Sequence, residues 1–248
     1  MPAARATAKE EKGMTMKVLA LVTALLGACT FDHGALSDLP DSGSGTDIPD
    51  AMVDAAMPLD VDADVTAPDA AGTAVTLSQN TSNTVSSGAS IYCNNTQTMR
   101  DNAWYRAFKP SDYGVTGTLH ISRVWFAVEG SKGASVIVSL YSYSGTLGTT
   151  LSTSSMTLLT SKSGSIPDNA TPIAALVAVD VPASSTVVFE VSGKDTLNGS
   201  GLVTSYLHIG ANTAGQSGSS YWRSAACGVG NPTSQSSHNV IMWMEGSY

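Results

Sequence analysis

From Ala74 to the end of the chain, apolar residues recur at every second position in short runs, and no stretch keeps a 3.6-residue period. A period of two places alternate side chains on opposite faces of an extended backbone, so this part of the chain can only be built from strands. Val124, Phe126 and Val128 share one face of such a run, and Arg123, Trp125 and Ala127 share the other. Val136, Val138 and Leu140 alternate with Ser135, Ile137, Ser139 and Tyr141. Val177, Val179 and Val181 form a further inward row, as do Val187, Phe189 and Val191 between Thr186, Val188 and Glu190. Residues 203–209 and 239–245 complete the set, with Val240, Met242 and Met244 pointing inward. Clusters of Gly, Ser, Thr and Asn separate the runs. With edges near Ser90–Cys93 and Trp104–Phe108, about eight to ten strands are expected, arranged as a jelly-roll-like β-sandwich. Residues 74–248 are numerous enough to enclose a core of their own.

Charge divides the rest of the chain. Residues 1–29 hold four bases and two acids, residues 30–73 hold ten Asp and no base, and residues 74–248 hold eight of each sign. Charged residues make up 13% of the whole, about half the share usual for globular proteins. This argues against a nucleic-acid binder, a coiled coil and a helix-rich enzyme. Val18–Ala28 is an apolar run behind Lys17, too short to span a bilayer and of signal-peptide length. Residues 1–28 therefore read as an export signal, and initiation at Met14 or Met16 would give it a cleaner basic head. Leu26-Gly27-Ala28-Cys29 resembles the lipobox of bacterial lipoproteins. That resemblance implies lipid on Cys29, and Thr30 in place of Asp implies an outer-membrane or cell-surface destination. The membrane is then a partner through the lipid alone.

Residues 29–73 then form an Asp-, Pro- and Ala-rich linker with too little apolar surface to offset its ordering entropy, and disorder is expected. Asp60, Asp62 and Asp64 mimic the start of an EF-hand loop, but Val65 stands at the glycine position and Ala71 at the glutamate position. Cys93 and Cys227 remain, and an even pair in an exported chain reads as a disulfide, with two separate buried thiols as the alternative.

Two clusters carry a resemblance. Asp101–Phe108 with Tyr113–Gly117 and Ile121–Val124 form one; Ile209–Ser217 with Ser220-Tyr221 and Ala226–Gly228 form the other. Together they resemble an uncharacterised β-sandwich accessory domain of secreted bacterial proteins, sometimes attached to extracellular peptidases, over residues 83–247. Relatives carry a cysteine near each cluster, which supports the Cys93–Cys227 pairing. The resemblance implies a shape and no catalytic residue.

Motifs of catalysis are missing from the sequence. There is no G-x-S-x-G elbow, H-E-x-x-H, Walker loop or G-x-G-x-x-G. His120, His208 and His238 have no zinc-ligand spacing and read as solvent-facing strand histidines. Glu129, Glu190 and Glu245 read as strand-surface acids, and Asp101, Asp112, Asp168, Asp180 and Asp195 as turn acids; a structural calcium ion among the latter stays open, with no other metal or cofactor expected. Tyr221-Trp222-Arg223 follows a flexible polar run, and rigid amphipathic rings beside Ser and Gln suit recognition surfaces. Tyr141, Tyr143 and Tyr113 are further candidates. Packing of Trp222 and Trp104 over the sandwich ends is the competing reading. The expectation is a non-catalytic surface module binding glycan or a surface protein. Its alternatives are an extracellular hydrolase with an unfamiliar site and a structural envelope lipoprotein.

Overall fold

A computed structural model describes residues 72–93, 101–194, 196–197 and 203–248. The signal peptide, Cys29 and nearly all of the acidic linker lie outside the described residues.

The strands are β1 (Ala74–Ser78), β2 (Asp101–Phe108), β3 (Thr118–Phe126), β4 (Val128–Lys132), β5 (Ser135–Tyr143) and β6 (Met156–Ser165). They continue with β7 (Ile173–Pro182), β8 (Thr186–Lys194), β9 (Thr196–Leu197), β10 (Val203–Ile209) and β11 (Ala211–Asn212). The last are β12 (Ser220–Ser224), β13 (Val229–Gln235), β14 (Asn239–Val240) and β15 (Met242–Ser247). Two antiparallel sheets dominate: a four-stranded one in the order β1-β15-β3-β7 and a six-stranded one in the order β13-β12-β2-β8-β5-β6. The chain weaves between them, β1 to β2 to β3, then β6 to β7 to β8, which is the jelly-roll-like β-sandwich expected from the alternation.

The core lies between the sheets. Leu119, Ile121, Val124 and Phe126 of β3, Val177, Val179 and Val181 of β7, and Met242 and Met244 of β15 face Trp104 and Phe108 of β2, Val136, Val138 and Leu140 of β5, and Val187, Phe189 and Val191 of β8. Every inward row read from the sequence is therefore in the core. Each such side chain contributes about 1.5–3 kcal/mol by leaving water, which is why a period-two pattern fixes the faces so firmly.

Three differences have physical causes. Fifteen strands appear among the described residues because β1, β6, β9, β12 and β13 lie outside the alternating runs and because three long strands break where their segments meet: Gly210 N–H donates to Ala127 O (2.7 Å), Ala127 N–H to Ile241 O (3.0 Å), and Ile241 N–H to Gly210 O (2.9 Å). The three segments exchange partners at that triangle, and a Cβ on Gly210 would lie 2.6 Å from the Ala127 Cβ, so only glycine permits the approach. Next, Ser90–Cys93 is not a strand; its backbone serves the sheet end instead, with Ser90 N–H bound to Glu129 (2.8 Å) and Ile91 O accepting from the Trp104 indole (2.6 Å). Finally, Asp180 sits within β7 rather than near a turn, facing His120 at 2.7 Å.

The disulfide joins Cys93 to Cys227 across 134 residues, with Cα atoms 5.7 Å apart. Asn102 braces that end: its Oδ1 accepts from the Cys93 amide (2.7 Å) and from the Trp222 indole (3.0 Å). Among the described residues no helix is long and apolar enough to cross a membrane.

Candidate functional site on the outer face of the six-stranded sheet

Register aligns one outward row across this sheet. Tyr221 of β12 lies opposite Tyr105 of β2, Tyr105 opposite Glu190 of β8, Glu190 opposite Ser139 of β5, and Ser139 opposite Ser161 of β6. Period-two alternation puts all five on the face turned away from the core, since Trp104, Phe189 and Leu140 beside them point inward.

Solvent does not cover this whole face. Ala103, Tyr105, Ala107, Tyr143, Leu151, Val188 and Tyr221 form a second apolar cluster on it. Leu151 is wholly buried there. It belongs to the connection between β5 and β6, residues 144–155, which reaches β13 at the opposite edge. Leu151 N–H donates to Pro232 O (2.9 Å) and Ser234 N–H to Thr149 O (2.8 Å), and Thr150 bridges to Thr233. This strap is also tied from below, where the Tyr221 hydroxyl donates to Gly148 O (3.0 Å).

A polar array sits within the face. The Glu190 carboxylate, only 7% exposed, accepts from the Tyr105 hydroxyl at Oε1 (3.0 Å) and from the Tyr141 hydroxyl at Oε2 (2.7 Å). Arg223 Nε in turn donates to the Tyr105 oxygen (3.1 Å). Donors thus run from Arg223 through Tyr105 to Glu190, and Tyr141 closes the other side. Burial, followed by the charge of Glu190, drives the Tyr105 phenol far above its usual range. Burial and the hydrogen bond to Glu190 push Tyr141 up to about 12. Burial opposes the Arg223 charge, but Tyr105, Glu190 and Asp101 more than offset it, and the guanidinium is raised overall. Both phenols therefore stay protonated donors at neutral pH, and Tyr105 is the link between Arg223 and Glu190. Next to it, Ile137 and Leu158 are exposed apolar side chains on the same face.

The six residues singled out from the sequence divide between the two faces. Tyr141 and Arg223 belong to the array. Tyr221 and Tyr143 lie under the strap, the latter donating to Thr146 O (3.3 Å) and accepting from Ser152 N–H (3.2 Å). Trp222 points into the sandwich and packs on the core, and Tyr113 does so too, its hydroxyl donating to Ser78 O (3.2 Å). Tyr105 and Glu190 were not among the candidates. Glu190 is buried, not a solvated strand acid; the only signal for it was a carboxylate standing in an otherwise apolar strand, Val187 to Val191.

Elsewhere, Trp125 and Trp243 stack in parallel at 5.6 Å on the outer face of the four-stranded sheet, with the Arg123 guanidinium 5.5 Å from the Trp125 ring. His208 stacks on Tyr92 at 4.0 Å, and Ser237 touches His238 at 2.9 Å as a chain neighbour on an exposed turn. Among the described residues no three His, Cys, Asp or Glu side chains converge on one point.

No family model and no curated protein matches this chain. Among solved structures it is similar to the cysteine protease and lectin-like domains of Cwp84, a surface layer associated protein of Clostridium difficile. Identity there is 12% and the TM-score 0.38, over 60% of this chain and 33% of that one. A second structure, the clostridial cysteine protease Cwp84 after propeptide cleavage, gives 12% and 0.35 over 60% and 37%. This chain thus spans about a third of the solved chains it matches.

Proposed function

We propose that this protein is a non-catalytic binding module held outside the cell by a lipid on Cys29, and that its ligand is a glycan gripped by the outer face of the six-stranded sheet. The observation that carries this reading is the buried Glu190–Tyr105–Tyr141–Arg223 array. A carboxylate and a guanidinium held against a sheet face cost desolvation, and Val188 beside them shows that this face accepts an apolar side chain. Such an array adds directional acceptors and donors where the fold itself needs none. Hydroxyl-rich rings supply the matching donors and acceptors, and Ile137, Leu158 and the Tyr141 ring supply apolar surface for their C–H faces.

The test is a screen of glycans and envelope polymers against wild type, Glu190→Gln and Tyr141→Phe. Binding should appear for wild type and weaken about tenfold in Glu190→Gln, which removes the charge that orients the Tyr105 and Tyr141 hydroxyls. A protein that binds none of them, or a variant that binds as well as wild type, removes the proposal. Metabolic labelling with an acyl analogue tests the anchor separately, since Cys29→Ala should then carry no label.

A further inference from the structure

A recess lies on the same face, between the strap and the start of β12. It is a cleft of about 420 Å³, within the range of small-molecule sites. Leu147 and Thr149 of the strap line it, together with Gly218 and Ser219 before β12, Tyr221 of β12 and Ser234 of β13.

Its walls are fixed before any ligand arrives. Tyr221 and Ser234 hold the strap through Gly148 O and Thr149 O. The opposite wall is held by Arg106, which is wholly buried inside the sandwich. Arg106 Nη1 donates to Gly218 O (2.9 Å) and, more weakly, to Gln79 Oε1 (3.4 Å), while Nε donates to Val240 O (3.0 Å). Gln79 Nε2 donates in turn to Ala107 O at the base of the cleft (2.6 Å). Gly218 lies so close to this amide that a Cβ would stand 2.3 Å from Gln79 Nε2. A pre-formed recess avoids the ordering cost that usually erodes affinity.

The lining defines the ligand class. No lining side chain is charged, and the one cation near the wall spends its donors on carbonyl and amide oxygens. A charged ligand would lose hydration here and gain no counter-ion. Hydroxyls at Thr149, Ser219 and Ser234 offer both donors and acceptors, and Leu147, 46% exposed at the mouth, offers an apolar wall. We infer that this cleft is a subsite for one uncharged sugar ring, with its hydroxyls toward Ser219 and Ser234 and a C–H face against Leu147. The inference rests on the glycan-binding reading and narrows it to neutral sugars at this position.

Titration of the isotope-labelled full chain with methyl glycosides of glucose, galactose, mannose and N-acetylglucosamine, and with glucuronate, decides it by amide NMR. Probes are taken to about 20 mM, enough to fill a site with a dissociation constant of about 1 mM. At least one neutral glycoside should shift the amides of residues 147–149 and 218–219, and Ser219→Ala and Leu147→Asp should each weaken that binding about tenfold. Both side chains are at the surface, so these variants fold. Shifts confined to Ser139, Tyr141 and Arg223 overturn the subsite and leave the glycan reading standing. Glucuronate binding the cleft as well as the neutral probes overturns the neutral class. Silence at both regions, together with an empty glycan screen, removes both.

Discussion

Glu190 shows how one side chain changes the meaning of a strand. Its neighbours Phe189 and Val191 turn inward, so alternation forces the carboxylate outward, yet it is nearly as buried as they are. Two phenols and, through one of them, a guanidinium make that burial tolerable. The consequence is measurable as a titration. Because the folded pKa of Tyr141 is raised to about 12, against about 10 unfolded, the native state holds this proton longer than the unfolded chain does. Stability from this group is complete below about pH 10 and is lost as pH rises towards 12. In Glu190→Gln the charge and part of the hydrogen bonding vanish while burial persists, so the Tyr141 ionisation, read at 295 nm against Tyr141→Phe, should move partway back towards 10. An unmoved ionisation would mean that Glu190 does not contact this phenol in solution.

The strap between β5 and β6 is the element on which the cleft depends. It has little regular structure, and one side chain, Leu151, anchors it in the second apolar cluster. It also covers the outer edge of β13, where Pro232 already removes a donor, so two devices protect the same edge. Leu151→Ala should cost about 2–5 kcal/mol if the strap is part of the cooperative fold. If it opens locally instead, global stability will change less and amide exchange will accelerate at Leu151 and Ser234 alone. Exchange unchanged at both amides would contradict the anchoring.

At the scale of the whole molecule, the two clusters that carried the family resemblance come together where β12 pairs with β2, and Asn102 and the Cys93–Cys227 bridge brace that junction. A bridge spanning 134 residues constrains the unfolded chain strongly, and its loss should cost about 2–5 kcal/mol. Denaturant melts of Cys93→Ser/Cys227→Ser against wild type measure this. An equal midpoint in both would show that the bridge is not formed in the folded protein. The first strand, β1, pairs with the last, β15, so the described fold begins and ends on the same sheet.

The alternating pattern by itself determined the fold class and the inward rows of β3, β5, β7, β8 and β15, because burying one face and wetting the other leaves a periodic trace in composition. It was silent on β1, β6, β12 and β13. β6 lies at a sheet edge with both faces largely exposed and so has little to alternate, whereas β12 is a short run read as the flank of a loop and β13 carries Gly230 and Pro232. The candidate site was legible only in part: Tyr141 and Arg223 stood out as amphipathic groups beside polar residues, but they are far apart in sequence. That Tyr141 meets Glu190, that Tyr105 links Arg223 to it, and that Trp222 turns the other way depend on strand register. Those are long-range pairings, decided when the chain closes on itself, and no local run of residues encodes them.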